Sequence, residues 1–99
     1  MDVYAMIPGD GDLPKVVAAA IIAPNGACIS LPPPARHHDV IRHMVHDLGI
    51  DPPIVGTQGF LLSDGSFAHR RMAWECAAYN GQFLPGKGSF TQLYSEDVW

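Results

Sequence analysis

The segment KVVAAAIIAPNGACISL, residues 15–31, decides the fold of this 99-residue chain. Its first half is rich in Val and Ile, which favour strands, although its alanines also suit a helix. The pair Asn25-Gly26 settles the choice, because both residues tolerate positive φ and form tight hairpin turns. The sequence therefore predicts a hairpin of residues 15–23 with residues 27–31, ended by the prolines at 32–34.

Two helices and a second hairpin are predicted farther along the chain. Residues 37–48 place their apolar side chains on one helical face, and Gly49 follows where a left-handed cap ends such a helix. Residues 59–62 and 67–68 flank a Ser-Asp-Gly-Ser turn, which predicts a short hairpin. Residues 70–80 form the second predicted helix. Its predicted buried stripe consists of Met72, Ala73, Cys76, Ala77 and Tyr79.

These elements predict a small α+β fold, a single domain over residues 1–99 with antiparallel hairpins and two helices. Residues 1–14 form a variable N-terminal segment, in which residues 1–7 are a weak strand candidate and residues 8–14 a Gly- and Pro-rich loop. A chain of this size buries roughly two thirds of its surface, which is enough for one modest core. Because only 16% of its residues are charged, we expect apolar surface to remain for self-association.

Composition excludes several functional classes. No segment approaches the roughly 18 uncharged apolar residues of a transmembrane helix, and the apolar run at 16–23 lacks the flanks of a signal peptide. A net charge of −4 gives little electrostatic drive for binding polymeric nucleic acid. Cys28 and Cys76 form neither a disulfide framework nor a zinc motif, so a reduced cytosolic setting is expected.

Candidate catalytic and metal-binding residues are few. Four of the five histidines cluster within ten residues: His37, His38, His43 and His46. A catalytic zinc normally takes three protein ligands, whereas this spacing brings together one or two, so a solvated helix face is the simpler interpretation. Cys76 lies on the predicted apolar stripe and suits a core position better than a nucleophilic role. We predict no catalytic residue, no metal site and no cofactor.

Arginines beside the predicted helix starts offer a site for an anionic nucleotide. Arg70 opens the second helix and Arg36 precedes the first, and helix N-termini favour anions. Phe60 on the second hairpin is a candidate for stacking on a base, with core packing as the alternative. His37 or His38 could contact the same anion.

A series of short motifs runs from residue 15 to the last residue of the sequence, at positions 25–26, 36–41, 58–61, 65–70, 80–82 and 93–99. Their order and spacing resemble the first anti-Thoeris family of phages. Proteins of this family are small and sequester the signalling nucleotides of bacterial TIR-based immunity. The resemblance covers about four fifths of the chain.

This resemblance implies a non-enzymatic sponge for cyclic ADP-ribose isomers, and in some relatives for cyclic oligonucleotides, in the host bacterial cytoplasm. It also implies a homo-dimer or hexamer with pockets near subunit interfaces. From the composition we expect neither a membrane nor a polymeric nucleic acid as partner. We expect six residues to bind the ligand. Phe60 would stack on a base, and Arg36 and Arg70 would contact the phosphates. His37, His38 and Gln58 would make further polar contacts.

Two alternative functions remain open at this point. An acidic chain could be a protein-binding inhibitor of a host defence complex, like an anti-CRISPR protein, although −4 is a weak charge for mimicking nucleic acid. A small nucleotide-acting enzyme could instead use the histidine cluster.

Overall fold

One antiparallel sheet and two helices make up the computed structural model, which describes residues 13–54, 56–88 and 92–99. The strands are β1 (Val16–Ile22), β2 (Cys28–Leu31), β3 (Thr57–Leu62) and β4 (Phe67–His69), in the spatial order β2-β1-β3-β4. The helices are α1 (His37–His46) and α2 (Arg70–Tyr79), and a 3₁₀ helix covers Ser95–Asp97. The predicted α+β class is confirmed, whereas the strand predicted at residues 1–7 lies outside the described residues.

The first hairpin closes through the turn that its sequence predicts. Gly26 has a φ of 90° and its N–H donates to the carbonyl of Ala23 at 2.8 Å. The side chain of Asn25 accepts a hydrogen bond from the N–H of Ala27 at 3.0 Å. β1 also pairs with β3, so that Ala19 lies between Leu31 and Phe60. This pairing joins the two hairpins into one sheet.

Both helices contribute to the hydrophobic core. Val40 and Met44 of α1 pack in one cluster with Ala19 and Ile21 of β1 and with Ala23, which follows that strand. The other cluster holds Phe60 of β3 and the buried residues of α2, and Trp99 packs against both clusters. The C-terminal segment, residues 92–99, thus closes the core between the two helices.

The buried stripe of α2 is narrower than its sequence predicts. Ala73, Cys76 and Ala77 are buried as predicted, but Met72 and Tyr79 are exposed. With 3.6 residues per turn, Met72 and Tyr79 lie roughly 100° or more from the centre of the buried face. Their inclusion in the stripe was therefore wrong.

Side chains of the segment after α2 hold the residues that lead into β1. The side-chain amide of Gln82 accepts a hydrogen bond from the N–H of Val16 and donates one to its carbonyl, both at 2.8 Å. Asn80 donates to the carbonyls of Leu13 and Pro14, each at 3.1 Å. These contacts hold the end of α2 in a fixed position relative to the sheet. In the described residues no helix is long and apolar enough to cross a membrane.

Candidate anion-binding cleft

A surface cleft of about 170 Å³ lies where the starts of α1 and α2 meet the C-terminal segment. We call it the arginine cleft. It is lined by Arg36, His37 and His38 at the start of α1, Arg70 at the start of α2, and Tyr94, Ser95 and Glu96 of the C-terminal segment. Four of the six residues that the sequence predicts to bind ligand therefore come together at one place.

Arg36 connects the start of α1 to the C-terminal segment. Its Nη2 donates to the backbone oxygen of Trp99 at 2.6 Å, and its Nη1 donates to Ser95 Oγ at 3.5 Å. The backbone N–H of Arg36 donates to Oδ2 of Asp39 at 2.9 Å, which caps the first turn. The guanidinium is thereby held at the edge of the cleft.

Arg70 is held in a similar way from the opposite side. Its Nη1 donates to the carbonyl of Leu93 and its Nη2 donates to Oε1 of Gln58, both at 2.8 Å. The guanidinium carbon lies 4.7 Å from the centre of the Tyr94 ring. Burial lowers the pKa of Arg70, and the side chains of Tyr94 and Glu96 act in the opposite direction. Gln58 thus positions Arg70 and does not line the cleft itself.

The charges of the two arginines are only partly compensated. On the outer side of α1, His38 and Arg42 lie near Asp39, and His43 lies near Asp47. In the described ranges, no Asp or Glu side chain lies within ion-pair distance of Arg36 or Arg70. With neutral histidines, two guanidinium groups and the carboxylate of Glu96 give the lining a formal charge of +1.

His37 forms a buried part of the cleft wall. Its side chain is 8% exposed, and Nε2 lies 2.7 Å from the carbonyl oxygen of Gly59. Because a carbonyl only accepts hydrogen bonds, Nε2 carries the proton in this contact. Burial lowers the pKa of His37 most strongly; the hydrogen bond to Gly59 acts against this effect, and the charge of Arg70 adds to it. The ring is therefore neutral near pH 7.

Phe60 does not have the accessible face that stacking on a base requires. The residue is 0% exposed, and its ring meets those of His37 and Trp99 edge-on at 5.0 and 6.2 Å. Its register opposite Ala19 and Ala68 places it on the helix-covered face of the sheet. The expected stacking role for Phe60 is corrected to core packing, which the sequence left as the alternative.

The exposed aromatic ring at the cleft belongs to Tyr94, which is 42% exposed. Sequence reasoning missed Tyr94, Ser95 and Glu96 as lining residues. The motif at 93–99 contains them, but it has no periodicity that predicts which residues it contacts. Ser95 contacts Arg36, which lies 59 positions earlier in the chain, and Tyr94 contacts Arg70 at the start of α2.

The remaining histidines of the cluster lie on the outside of α1. His38 is exposed at the cleft edge with Nε2 3.5 Å from Oδ1 of Asp39, and His43 contacts Asp47 at 2.8 Å. Among the residues described, no group of three or more His, Cys, Asp or Glu side chains is placed to hold a metal ion.

Residues 15–99 match the model of the family described as the phage T4 y16D protein. The chain belongs to this phage protein family. The matched range contains the whole sheet, both helices and every residue that lines the arginine cleft. No curated protein and no solved structure gives a significant match. The family establishes a phage protein, and its description names no ligand or activity.

Proposed function

We propose that this phage protein binds a small anionic nucleotide in the arginine cleft and sequesters it unchanged. One observation carries the proposal. Two guanidinium groups line the same cleft, and among the described residues no Asp or Glu side chain lies at ion-pair distance from either of them. Charge-assisted hydrogen bonds from arginine to phosphate are among the strongest available in water. Each guanidinium is already held by hydrogen bonds to backbone oxygens, so little side-chain entropy is lost on binding.

The start of α1 adds to this attraction. The first-turn N–H groups of a helix lack partners within the helix and carry a partial positive charge. His37 and His38 occupy this turn and line the cleft. A phosphate between Arg36 and Arg70 would therefore lie close to both the charges and the helix dipole.

Tyr94 takes the stacking role that the sequence suggested for Phe60. Its ring is accessible, and the guanidinium carbon of Arg70 lies 4.7 Å from the ring centre. Aromatic rings of this kind bind nucleic-acid bases without strong sequence preference. A base beside the phosphate would stack against Tyr94.

The size of the cleft bears on the assembly. Pockets that enclose a whole drug-sized ligand measure roughly 300–1,000 Å³, whereas the arginine cleft measures about 170 Å³. We therefore propose that a second copy of the chain completes the site, in a homo-dimer or hexamer. The resemblance to the anti-Thoeris family supports a cyclic ADP-ribose isomer or a cyclic oligonucleotide as the ligand, bound in the host cytoplasm to suppress TIR-dependent or related defence.

Sequestration requires no acid, base or nucleophile. The ring nitrogen Nε2 of His37 is committed to Gly59, and Ser95 is buried with its hydroxyl accepting from Arg36. Neither residue is arranged for proton transfer or attack. This supports binding without turnover.

Isothermal titration calorimetry with cyclic ADP-ribose isomers and cyclic dinucleotides tests the proposal. Arg70→Gln should weaken binding at least about tenfold, because it removes a charged contact worth about 1.5–3 kcal/mol. Arg42→Gln is the matched control, since Arg42 lies exposed on the outer side of α1 and the change in charge is the same. Arg36→Gln should act like Arg70→Gln.

Chromatography of the ligand released by heat distinguishes the other candidate functions. Intact ligand supports the sponge, and an altered product supports an enzyme. Absence of binding across all these nucleotides would reject the proposal and favour a protein-binding inhibitor. Full affinity in a folded Arg70→Gln variant would reject the placement of the site.

A further inference from the structure

Glu96 is an acidic side chain in a cleft otherwise suited to anions. It lines the cleft together with Arg36 and Arg70, and it acts electrostatically on Arg70. Contacts between described residues include no hydrogen bond or ion pair to its carboxylate. The carboxylate is therefore available to interact with a ligand that the arginines bind.

The neighbouring Asp97 shows what a structural carboxylate does in this segment. It is buried, and its two oxygens accept hydrogen bonds from the N–H groups of Gly88 and Tyr94 at 3.3 and 3.0 Å. Glu96 is exposed and has no comparable role in holding the segment. A role in stability therefore does not explain why Glu96 lies in the cleft.

The geometry points to Glu96 as a specificity-determining residue that makes the cleft prefer phosphodiesters to phosphomonoesters. This inference rests on the proposed nucleotide site. A phosphodiester carries one negative charge, which matches the formal charge of +1 on the lining. A phosphomonoester carries about −1.5 to −2 at pH 7, and its additional charge would meet the Glu96 carboxylate.

The backbone that carries Glu96 is fixed in place, so it cannot move away freely from a second negative charge. The 3₁₀ helix Ser95–Asp97 is tied on one side by Arg36 through Ser95 and Trp99. On the other side Asp97 ties it to Gly88 and Leu84, whose N–H groups donate to its side chain and its backbone carbonyl. Repulsion between like charges near a protein surface then lowers the affinity for the monoester by about tenfold relative to a cleft without this carboxylate.

The carboxylate also favours ligands with hydroxyl groups next to the phosphate. An ionised carboxylate only accepts hydrogen bonds, and the hydroxyls of a ribose can donate them. The favoured ligand class is therefore a ribonucleotide in which each phosphate is linked on both sides and carries one negative charge, as in a phosphodiester or in the pyrophosphate of a cyclic ADP-ribose isomer.

Calorimetry at pH 7.5 with two matched probes tests this inference. The probes are adenosine 5′-monophosphate and its methyl ester, which differ by one methyl group and one negative charge. The wild-type protein should bind the methyl ester more tightly, and Glu96→Gln should shift the ratio of the two affinities about tenfold towards the monophosphate. Glu75→Gln is the control, because Glu75 is an exposed carboxylate of α2 that does not line the cleft.

Three outcomes would overturn the inference. Equal binding of both probes by the wild-type protein would reject the selectivity while leaving the nucleotide site intact. An unchanged ratio in folded Glu96→Gln would reject the assignment to Glu96. Failure of the wild-type protein to bind either probe or any cyclic nucleotide would reject the proposed function, and the inference with it.

Discussion

Replacing Phe60 by leucine separates its contribution to stability from the ligand contact that the sequence suggested. Leucine keeps much of the apolar volume but removes the ring, which meets His37 at 5.0 Å and Trp99 at 6.2 Å. Each such aromatic pair contributes about 0.5–1.5 kcal/mol beyond its buried area. Phe60→Leu should therefore lower the free energy of unfolding by about 1–3 kcal/mol. For a domain of this size, the melting temperature should fall by roughly 5–20 °C.

Tyr94→Leu is the matched comparison at the cleft. Tyr94 is 42% exposed, and its main described contact is with the guanidinium of Arg70. An exposed contact of this type contributes about 0.5–1 kcal/mol, so the loss of stability should be smaller. Nucleotide affinity should fall more than about fivefold, because stacking on a base contributes about 1–3 kcal/mol.

Thermal denaturation, monitored by circular dichroism, and urea unfolding measure the stability of both variants. Calorimetry measures their nucleotide affinity. Phe60→Leu should mainly lower the melting temperature, and Tyr94→Leu should mainly lower nucleotide affinity. An unchanged melting temperature for Phe60→Leu, together with lost binding, would refute the core assignment. Unchanged affinity in Tyr94→Leu would refute the stacking role of Tyr94.

Three further changes test the packing of the fold and the pH dependence of its stability. Gln82→Ala removes two hydrogen bonds to Val16 and should cost about 1–3 kcal/mol, measured by urea unfolding. Gly59→Ala should lower the melting temperature through a loss of about 1–3 kcal/mol or more, because its Cβ would overlap the carbonyl oxygen of Ala68. The wild-type protein should lose stability as the pH falls through 6.5, since the pKa of His37 is lowered in the folded state and the unfolded chain takes up the proton first. Urea unfolding at pH 7.5 and 5.5 should show a smaller loss for His37→Gln, and an equal loss would exclude His37 as the source.

The helix starts explain why much of the cleft could be predicted. Arg36, His37, His38 and Arg70 lie within one residue of the first turns of α1 and α2. Helix starts follow from local signals such as the apolar periodicity of residues 37–48 and the turn before β4. The attraction of such a helix start for anions depends on local backbone geometry, so it too could be inferred from sequence.

Phe60 shows where local signals fail. The run Gly59-Phe60-Leu61-Leu62 is apolar without alternation, so it does not indicate which side chains face the helices. Its face is set by the register of β3 between β1 and β4. That register depends on partners about 40 positions earlier in the chain as well as on the local turn.

The sequence by itself determined the elements of this protein: the hairpin at Asn25-Gly26, the second hairpin and the bounds of both helices to within about two residues. It did so because turns, caps and apolar periodicity act over a few neighbouring residues. Only the tertiary structure decided that β1 joins the two hairpins and that the C-terminal segment forms one wall of the arginine cleft. Residues 92–99 reach Arg36 and Arg70 through hydrogen bonds that span much of the chain, and a segment without periodicity does not encode its distant partners locally.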